Sequence, residues 1–175
     1  MHFADVYDEQ VWNVYAYFAY RVGSRSDAED LTQVTFERAL KAWHRFDSRR
    51  ASVGTWLMAI AKNALIDHFR REPGQRTVYL DGERWEGREP SIGGPEERLG
   101  TEPALLAALA TLSDREREVL ALRFGGDLGG REIAELLGLS LSNVQQILSR
   151  SLRKLRIRLD EKSALATASD ARPQR

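Results

Sequence analysis

The sequence of 175 residues contains no cysteine and only three histidines. Without cysteine, the chain can form neither a disulfide bond nor a thiolate metal site. The histidines, His2, His44 and His68, have no metal-ligand spacing to one another, and no nucleotide-binding loop or nucleophile–base pair is present. We therefore expect a protein that is not an enzyme and that uses no metal and no cofactor.

Long apolar runs and a net charge are also lacking. No apolar run approaches the ~20 residues that cross a membrane, and the N-terminus has no charged-then-apolar signal pattern. Because neither a membrane span nor a signal-peptide pattern is seen, we expect a cytoplasmic protein. The 26 basic and 26 acidic residues cancel, so total charge says nothing about nucleic acid. The distribution is uneven, however, with a strongly basic stretch at residues 150–158 and an acidic middle.

Residues 130–156, GREIAELLGLSLSNVQQILSRSLRKLR, predict two helices joined by a tight turn. Gly138 has the backbone freedom that a sharp turn needs, and Ser140 is a good N-cap for the second helix. Apolar side chains recur in that helix at helical spacing. The predicted inner stripe comprises Val144, Leu148, Ser151, Leu152 and Leu155.

The opposite face of the second helix carries amides, hydroxyls and guanidiniums. It comprises Ser142, Gln146, Ser149 and Arg153. Gln145, Arg150 and Arg156 flank this face. Glutamine can bond adenine in a bidentate way and arginine can bond guanine, whereas spare basic groups hold phosphate. A solvated surface helix is the alternative, but the turn glycine, the cap and the small polar face together favour a DNA-reading helix-turn-helix.

The first part of the chain predicts three helices. Residues 5–22 are rich in aromatic side chains, which we expect in a core. Ser26 and Glu29 form a capping-box pattern that starts the second helix, whose inner stripe includes Leu40. A basic loop at 46–54 separates this helix from a third one, which runs from about residue 55 to residue 71.

The third helix leaves a polar, mostly basic side next to the loop. This side comprises Lys62, Asn63, Asp67, Arg70 and Arg71. Such a loop and helix face could bind single-stranded nucleic acid by stacking and backbone contact. A solvated face explains the same residues equally well.

Proline, glycine and acidic residues dominate 73–103 and predict a flexible linker between two helical modules. Beyond it, Ser113 and Glu116 form a second capping box. We therefore predict an all-α fold with two small helical domains, at 1–72 and 104–160, and a disordered tail at 161–175. We see no strong sign of a homo-oligomer.

With both modules in view, the order of parts resembles a bacterial RNA polymerase sigma factor of the small extracytoplasmic-function group. The resemblance rests on SDAEDLTQVTFERALKAW, TWLMAIAKNALIDHFRR and LSDREREVLALRF followed by the helix-turn-helix. It implies a sigma-2 helical bundle and a sigma-4 helix-turn-helix domain. The implied partners are core RNA polymerase and promoter DNA, and the resemblance leaves open an anti-sigma factor as a third.

The resemblance also implies roles for individual residues. Those matching the family's polymerase-docking element are Asp30, Leu31, Gln33 and Phe36. Those matching the part that melts and reads the −10 element are Phe46, Arg49, Arg50, Lys62, Asn63, Asp67 and Arg70. Those assigned to the −35 reader are Ser142, Asn143, Gln145, Gln146, Ser149, Arg150 and Arg153.

Four residues depart from the family pattern. Ile147 replaces a frequent arginine, but it lies beside the buried stripe, so we expect it to pack. Val34 stands where many relatives have an acidic residue, and Gln145-Gln146 stand where many have a basic residue followed by a small polar one. The −35 sequence therefore stays open. Two other functions are alternatives: a free-standing helix-turn-helix regulator, which usually needs two-fold symmetry, and an enzyme with a DNA-binding appendage.

Overall fold

The computed structural model describes residues 2–22, 24–71 and 103–170, although the side chains of 103, 104, 106 and 161–170 are left out of the description. The predicted linker therefore lies almost wholly outside the described residues. Helices and turns account for the regular structure of the described ranges, which contain no strand. The all-α prediction is confirmed. Among the described residues, no helix is both long enough and apolar enough to span a membrane.

The N-terminal module, residues 2–71, is a bundle of three helices. They are α1 (Phe3–Arg21), α2 (Arg25–Ala42) and α3 (Val53–Arg71), with a short 3-10 turn at Trp43–Arg45 after α2. Helix α2 packs against both α1 and α3. The core of this three-helix bundle is built from apolar side chains that repeat at helical spacing. The most deeply buried of these are Val6, Val14, Tyr17, Phe18, Leu57 and Met58.

The start of α2 differs from the prediction. Ser24, not Ser26, is the N-cap, because its Oγ accepts a hydrogen bond from the backbone N–H of Asp27 at 3.3 Å. Both serines can cap a helix, and the sequence pattern favoured Ser26 because Glu29 follows it at the capping-box spacing. In the structure Glu29 instead accepts from Arg25 Nε at 2.7 Å on the helix surface.

The C-terminal module, residues 103–170, holds four helices and one irregular segment. They are α4 (Pro103–Ala110), α5 (Asp114–Leu120), a π-helical segment (Ala121–Gly125), α6 (Gly130–Leu137) and α7 (Leu141–Asp170). The predicted capping box of α5 is confirmed: Ser113 Oγ accepts from the N–H of Glu116 at 3.3 Å, and the Ser113 N–H donates to Glu116 Oε2 at 2.9 Å. Lys154 on α7 donates to the other oxygen of Glu116 at 2.8 Å, which ties α5 to α7.

The two modules share one hydrophobic core. The π-helical segment lies against α1, and this is the most extensive packing between the modules. Leu122 and Ile133 of the C-terminal module belong to the same buried cluster as Tyr17 and Met58 of the N-terminal module. The predicted two-module architecture is present, but the described parts of the chain form one packed body.

Several predicted core positions are wrong. Leu40 and Leu152 were assigned to inner stripes, yet their side chains are 58% and 45% exposed. Trp12 and Tyr7 in the aromatic-rich first helix are 43% and 45% exposed. Helical spacing indicates the direction of an apolar stripe, but it does not indicate how much of that stripe a neighbouring element covers. Helix α7 also extends through Asp170, into the segment predicted to be a disordered tail.

Candidate nucleic-acid interface

The turn between α6 and α7 has the geometry that the glycine at its centre permits. Gly138 adopts a left-handed conformation with φ 64°. Its N–H donates to the carbonyl of Glu135 at 3.3 Å, and the N–H of Leu139 donates to that of Ala134 at 2.8 Å. These paired bonds satisfy the last carbonyls of α6 and turn the chain sharply into α7. The predicted helix-turn-helix is present.

The start of α7 matches the prediction, and so does its inner side apart from Leu152. Ser140 Oγ accepts from the N–H of Asn143 at 3.1 Å and caps the helix. Val144 is fully buried and Ile147 is 7% exposed, in keeping with the packing role predicted for Ile147. The buried Ser151 hydroxyl is satisfied by the Ile147 carbonyl at 2.8 Å. The buried side chains define which face of α7 is turned inward.

This orientation turns the whole predicted −35 face outward. All of its members are exposed: Ser142, Asn143, Gln145, Gln146, Ser149, Arg150 and Arg153. An exposed helix with amide and guanidinium groups on one side and a buried stripe on the other can enter a major groove and bond base edges. The structure therefore leaves this face available.

The predicted −10 loop is built on an aromatic cluster. The Phe46 ring is half-buried and stacks on Trp43, with centroids 5.1 Å apart and an interplanar angle of 11°. Trp56 of α3 lies 5.2 Å from the same ring. Phe46 thus anchors the loop between the 3-10 turn and α3, and it is not displayed as a free stacking surface.

Two charged members of the −10 set are already paired. Arg49 donates to both carboxylate oxygens of Asp47, at 3.0 and 2.9 Å, and these bonds hold the pKa of Asp47 below its usual value. Asp67 accepts from Arg38 Nη1 of α2 at 2.9 Å. The Asp67 carboxylate therefore helps fix α3 on α2, whereas Arg50 is exposed.

The remaining −10 candidates lie along α3. Asn63 and Arg70 are exposed and Lys62 is half-buried. Lys62 and Arg70 line an open cleft of about 510 Å³ between the modules, whose other wall includes Asp114 and Glu118 of α5. The structure thus brings part of the basic face opposite acidic side chains of the C-terminal module.

The four predicted polymerase-docking residues divide into two pairs. Asp30 and Gln33 are exposed on α2, where Gln33 Nε2 donates to Glu37 at 3.0 Å. Leu31 and Phe36 are only 6% and 5% exposed. Since Phe36 packs edge-on against Tyr7, with centroids 4.8 Å apart, these two side chains position α2 and do not form its surface.

Glu132, which joins the two modules, carries no sequence signal that predicts this role. One oxygen of its carboxylate accepts from Ser52 Oγ at 2.7 Å and from Thr55 Oγ1 at 2.8 Å, and the other accepts from the Gly129 N–H at 2.8 Å. Burial alone would raise the pKa of Glu132, but these hydrogen bonds outweigh burial and lower it. No local pattern could have predicted this contact, because its partners are separated by about 80 positions.

A second missed contact surrounds Arg21 at the end of α1. This guanidinium is 8% exposed, donates to the carbonyl of Asp114 at 3.0 Å and lies 3.9 Å from the Glu118 carboxylate. The phenol of Tyr17 is fully buried beside it. Burial and then the negative charge of Glu118 raise the pKa of Tyr17 far above its usual value, so the phenol stays neutral.

The fold and the exposed α7 face define a two-module helical protein with a helix-turn-helix. Known families match the modules separately: Sigma-70 region 2 matches residues 7–73, and Sigma-70, region 4 matches residues 108–156. The chain is 31% identical over 156 residues to the ECF RNA polymerase sigma factor SigX of Bacillus subtilis, covering 86% of this chain and 80% of that protein. The chain belongs to the ECF RNA polymerase sigma factors.

Two further relatives extend this comparison. The ECF RNA polymerase sigma factor BldN of Streptomyces coelicolor is 33% identical over 155 residues, which cover 87% of this chain but only 58% of that relative's length. A solved structure of the sigma factor RpoE from Bartonella quintana, in complex with the anti-sigma factor NepR, is 20% identical. It has a TM-score of 0.68 over 90% of this chain and 96% of that one, and therefore shares the fold.

Proposed function

We propose that this chain is a dissociable subunit that gives core RNA polymerase its promoter specificity and helps to open the DNA. The observation that carries the proposal is the exposed polar face of α7, presented by a helix-turn-helix in a chain whose two modules match Sigma-70 regions 2 and 4 in that order. The chain has no catalytic role in this proposal. It works by binding, and a cytoplasmic location follows from its partner.

The −35 element is the proposed target of α7. Gln145, Gln146 and Arg150 supply the groups that can read base edges, and Arg153 lies further along the helix for phosphate contact. Each well-made bidentate contact discriminates against a wrong base by about 1–3 kcal/mol. A handful of such contacts is sufficient for selectivity when a second element is read as well.

The −10 element is the proposed target of the loop at 46–54 and the adjoining face of α3. Opening duplex DNA costs stacking energy, which a protein offsets by trapping unstacked bases against aromatic or amide groups. Asn63 and Arg50 are exposed for this purpose. Phe46 and Asp67 support the site by holding the loop and α3, since their side chains are engaged with Trp43 and Arg38.

Core RNA polymerase is the proposed partner of α2. Asp30 and Gln33 form the direct contact, and Leu31 and Phe36 hold the helix that presents them. An anti-sigma factor as a further partner stays a prediction. The free-standing regulator is not favoured, because the N-terminal module matches Sigma-70 region 2.

The test is transcription in vitro with core RNA polymerase and fragmented genomic DNA from the source bacterium. We expect defined start sites that appear only when this chain is added. Asp30→Lys should weaken polymerase binding by roughly tenfold, because it reverses charge on the docking helix. Asp8→Lys, at another exposed acidic position on α1, is the matched control. A chain that neither binds core polymerase nor yields any start site would refute the proposal.

A further inference from the structure

Four aromatic rings meet where the chain leaves α2 for the loop at 46–54. The ring of Trp43 stacks on that of Phe46 in the loop, with centroids 5.1 Å apart. It meets two further rings at steep angles, Phe3 of α1 at 5.4 Å and Trp56 of α3 at 5.8 Å. Trp43 thus contacts an aromatic ring from each of α1, α3 and the loop.

The backbone of Trp43 belongs to the end of α2. As the C-cap of α2 it keeps helical angles, φ −56° and ψ −37°, and its N–H donates to the Leu40 carbonyl. The same helix presents Asp30 and Gln33, the proposed contacts with polymerase. At a rise of 1.5 Å per residue, Trp43 lies about 20 Å along α2 from Asp30. The ring of Trp43 therefore links the position of the docking helix to that of the loop.

The polar bonds of the loop act mostly within it. Asp47 Oδ1 accepts from the N–H of Arg49 at 3.0 Å, and the Asp47 carbonyl accepts from the N–H of Arg50 at 3.0 Å. These bonds fold the chain into a turn and do not connect it to a helix. Ser52 caps α3 at the far end of the loop. The place of the Phe46 end on the bundle therefore depends on its ring contacts.

The rings of this cluster are half-buried, unlike the core of the bundle. Trp43, Phe46 and Trp56 each keep part of their surface in solvent, whereas Leu57 and Met58 beside them in the sequence are fully buried. Segments with few deeply buried contacts can open locally while the rest of the fold stays intact. Loss of the Trp43 ring should therefore loosen the loop before it unfolds the module.

We propose that Trp43 is a positioning residue for promoter opening, whose ring fixes Phe46, and with it the loop at 46–54, relative to the docking face of α2. The link to promoter opening rests on the proposed function. The indole acts through Phe46 and needs no contact with DNA. A loop that is already ordered loses less conformational freedom when it traps a base, so a fixed loop favours opening.

The first test is hydrogen exchange in the full chain, without polymerase or DNA. The Phe46 N–H donates to the Trp43 carbonyl at 3.0 Å, a bond that a side-chain substitution leaves in place. Trp43→Ala should speed exchange of the Phe46 and Arg50 amides roughly tenfold, because it removes the ring contacts. Trp43→Phe keeps a ring and should exchange near the wild-type rate. The amide of Val144 in α7 should be unchanged throughout.

A control variant separates loop loosening from a general loss of stability. Leu112 is 3% exposed in a second buried cluster, formed by residues of α4, α5 and α7. Leu112→Ala should lower the stability of the fold without touching the rings at the loop. Trp12→Ala removes an exposed indole elsewhere on α1. The proposal is overturned if Trp43→Ala leaves loop exchange at the wild-type rate, or if Leu112→Ala speeds it equally.

The second test is permanganate footprinting of open complexes made with core polymerase. Trp43→Ala should reduce opening roughly tenfold with unchanged affinity for core polymerase, and Trp43→Phe should restore it. Opening by Trp43→Ala at the wild-type level, or equal loss in Trp43→Phe and Trp43→Ala, would overturn the positioning role. A wild-type chain that opens no promoter would instead refute the proposed function, and the exchange measurement tells these two failures apart.

Discussion

The two candidate DNA surfaces of this protein differ in what surrounds them. Every member of the −35 face on α7 is exposed, and the side chains behind it are buried. The −10 set is engaged in part: Phe46 stacks on Trp43, Asp67 pairs with Arg38, and neighbouring Ser52 donates to Glu132 of the other module. The comparison teaches that the side chains of one surface are free to meet a ligand, whereas several side chains of the other already hold the protein's own loop and helices in place.

The largest effect, on the free energy of unfolding, should come from a substitution in the core that supports the exposed −35 face of α7. Ile133 of α6 is fully buried. Ile133→Ala should lower the free energy of unfolding by about 3 kcal/mol, because it removes buried methyl groups and leaves a cavity. Chemical denaturation measures this value, and the exposed Glu135→Ala is the control. If both substitutions have the same small effect, the described packing of α6 is wrong.

A smaller effect, on DNA binding and not on stability, should come from a substitution on the −35 face of α7. Arg150→Ala should weaken binding of polymerase holoenzyme to a matched promoter by about 1–3 kcal/mol, through a lost base or phosphate contact, with unchanged thermal stability. Arg45→Ala removes an exposed arginine from the N-terminal module as the control. Undiminished transcription from −35-dependent start sites would remove Arg150 from the reading face.

Asn63 tests the other surface, the proposed −10 site on α3. Asn63→Ala should reduce promoter opening roughly tenfold, since contacts that trap an unstacked base contribute about 1–3 kcal/mol. Permanganate footprinting of the open complex provides the measurement, and polymerase binding should be unchanged. Asn13→Ala on α1 controls for loss of an amide. Equal permanganate reactivity in the two variants would refute the proposed role.

The smallest effect should be a pH dependence of stability from two carboxylates. Burial alone would raise the pKa of Glu116 and of Glu132, but bonds from Lys154 and Ser113, and from Ser52, Gly129 and Thr55, lower both below the ordinary value of 4.5. A lowered pKa contributes stability that is present above the ordinary value and is lost as pH falls through the lowered one.

The free energy of unfolding should therefore fall as pH drops below about 4.5, more steeply in wild type than in Glu116→Gln. Glu116 is 7% exposed and contacts α7 through Lys154, so its share should exceed that of an exposed carboxylate. Glu135→Gln, at an exposed position, is the control. Parallel pH curves for wild type and Glu116→Gln would contradict the assignment.

The sequence predicted those features that depend on interactions between residues close together in the chain. Gly138, Ser140 and the Ser113–Glu116 box work through atoms a few residues away, and all three were predicted correctly. The Ser26 cap was wrong because two serines lie within one turn, and the pattern does not decide which of them accepts the capping bond, which Ser24 does. Leu40 and Leu152 were wrong because helical periodicity indicates the direction of a stripe but not how much of it a neighbour covers.

The sequence alone determined that the chain is helical, that a helix-turn-helix with a polar face lies near its end, and that both modules follow the order of a sigma factor. These conclusions depend on spacing, capping and turn chemistry, which act within a few residues. Only the tertiary structure decided that the modules are packed together through Gly125, Arg21 and Glu132. The physical reason is distance along the chain: contacts between residues 80 or more positions apart leave no periodic trace in a single sequence.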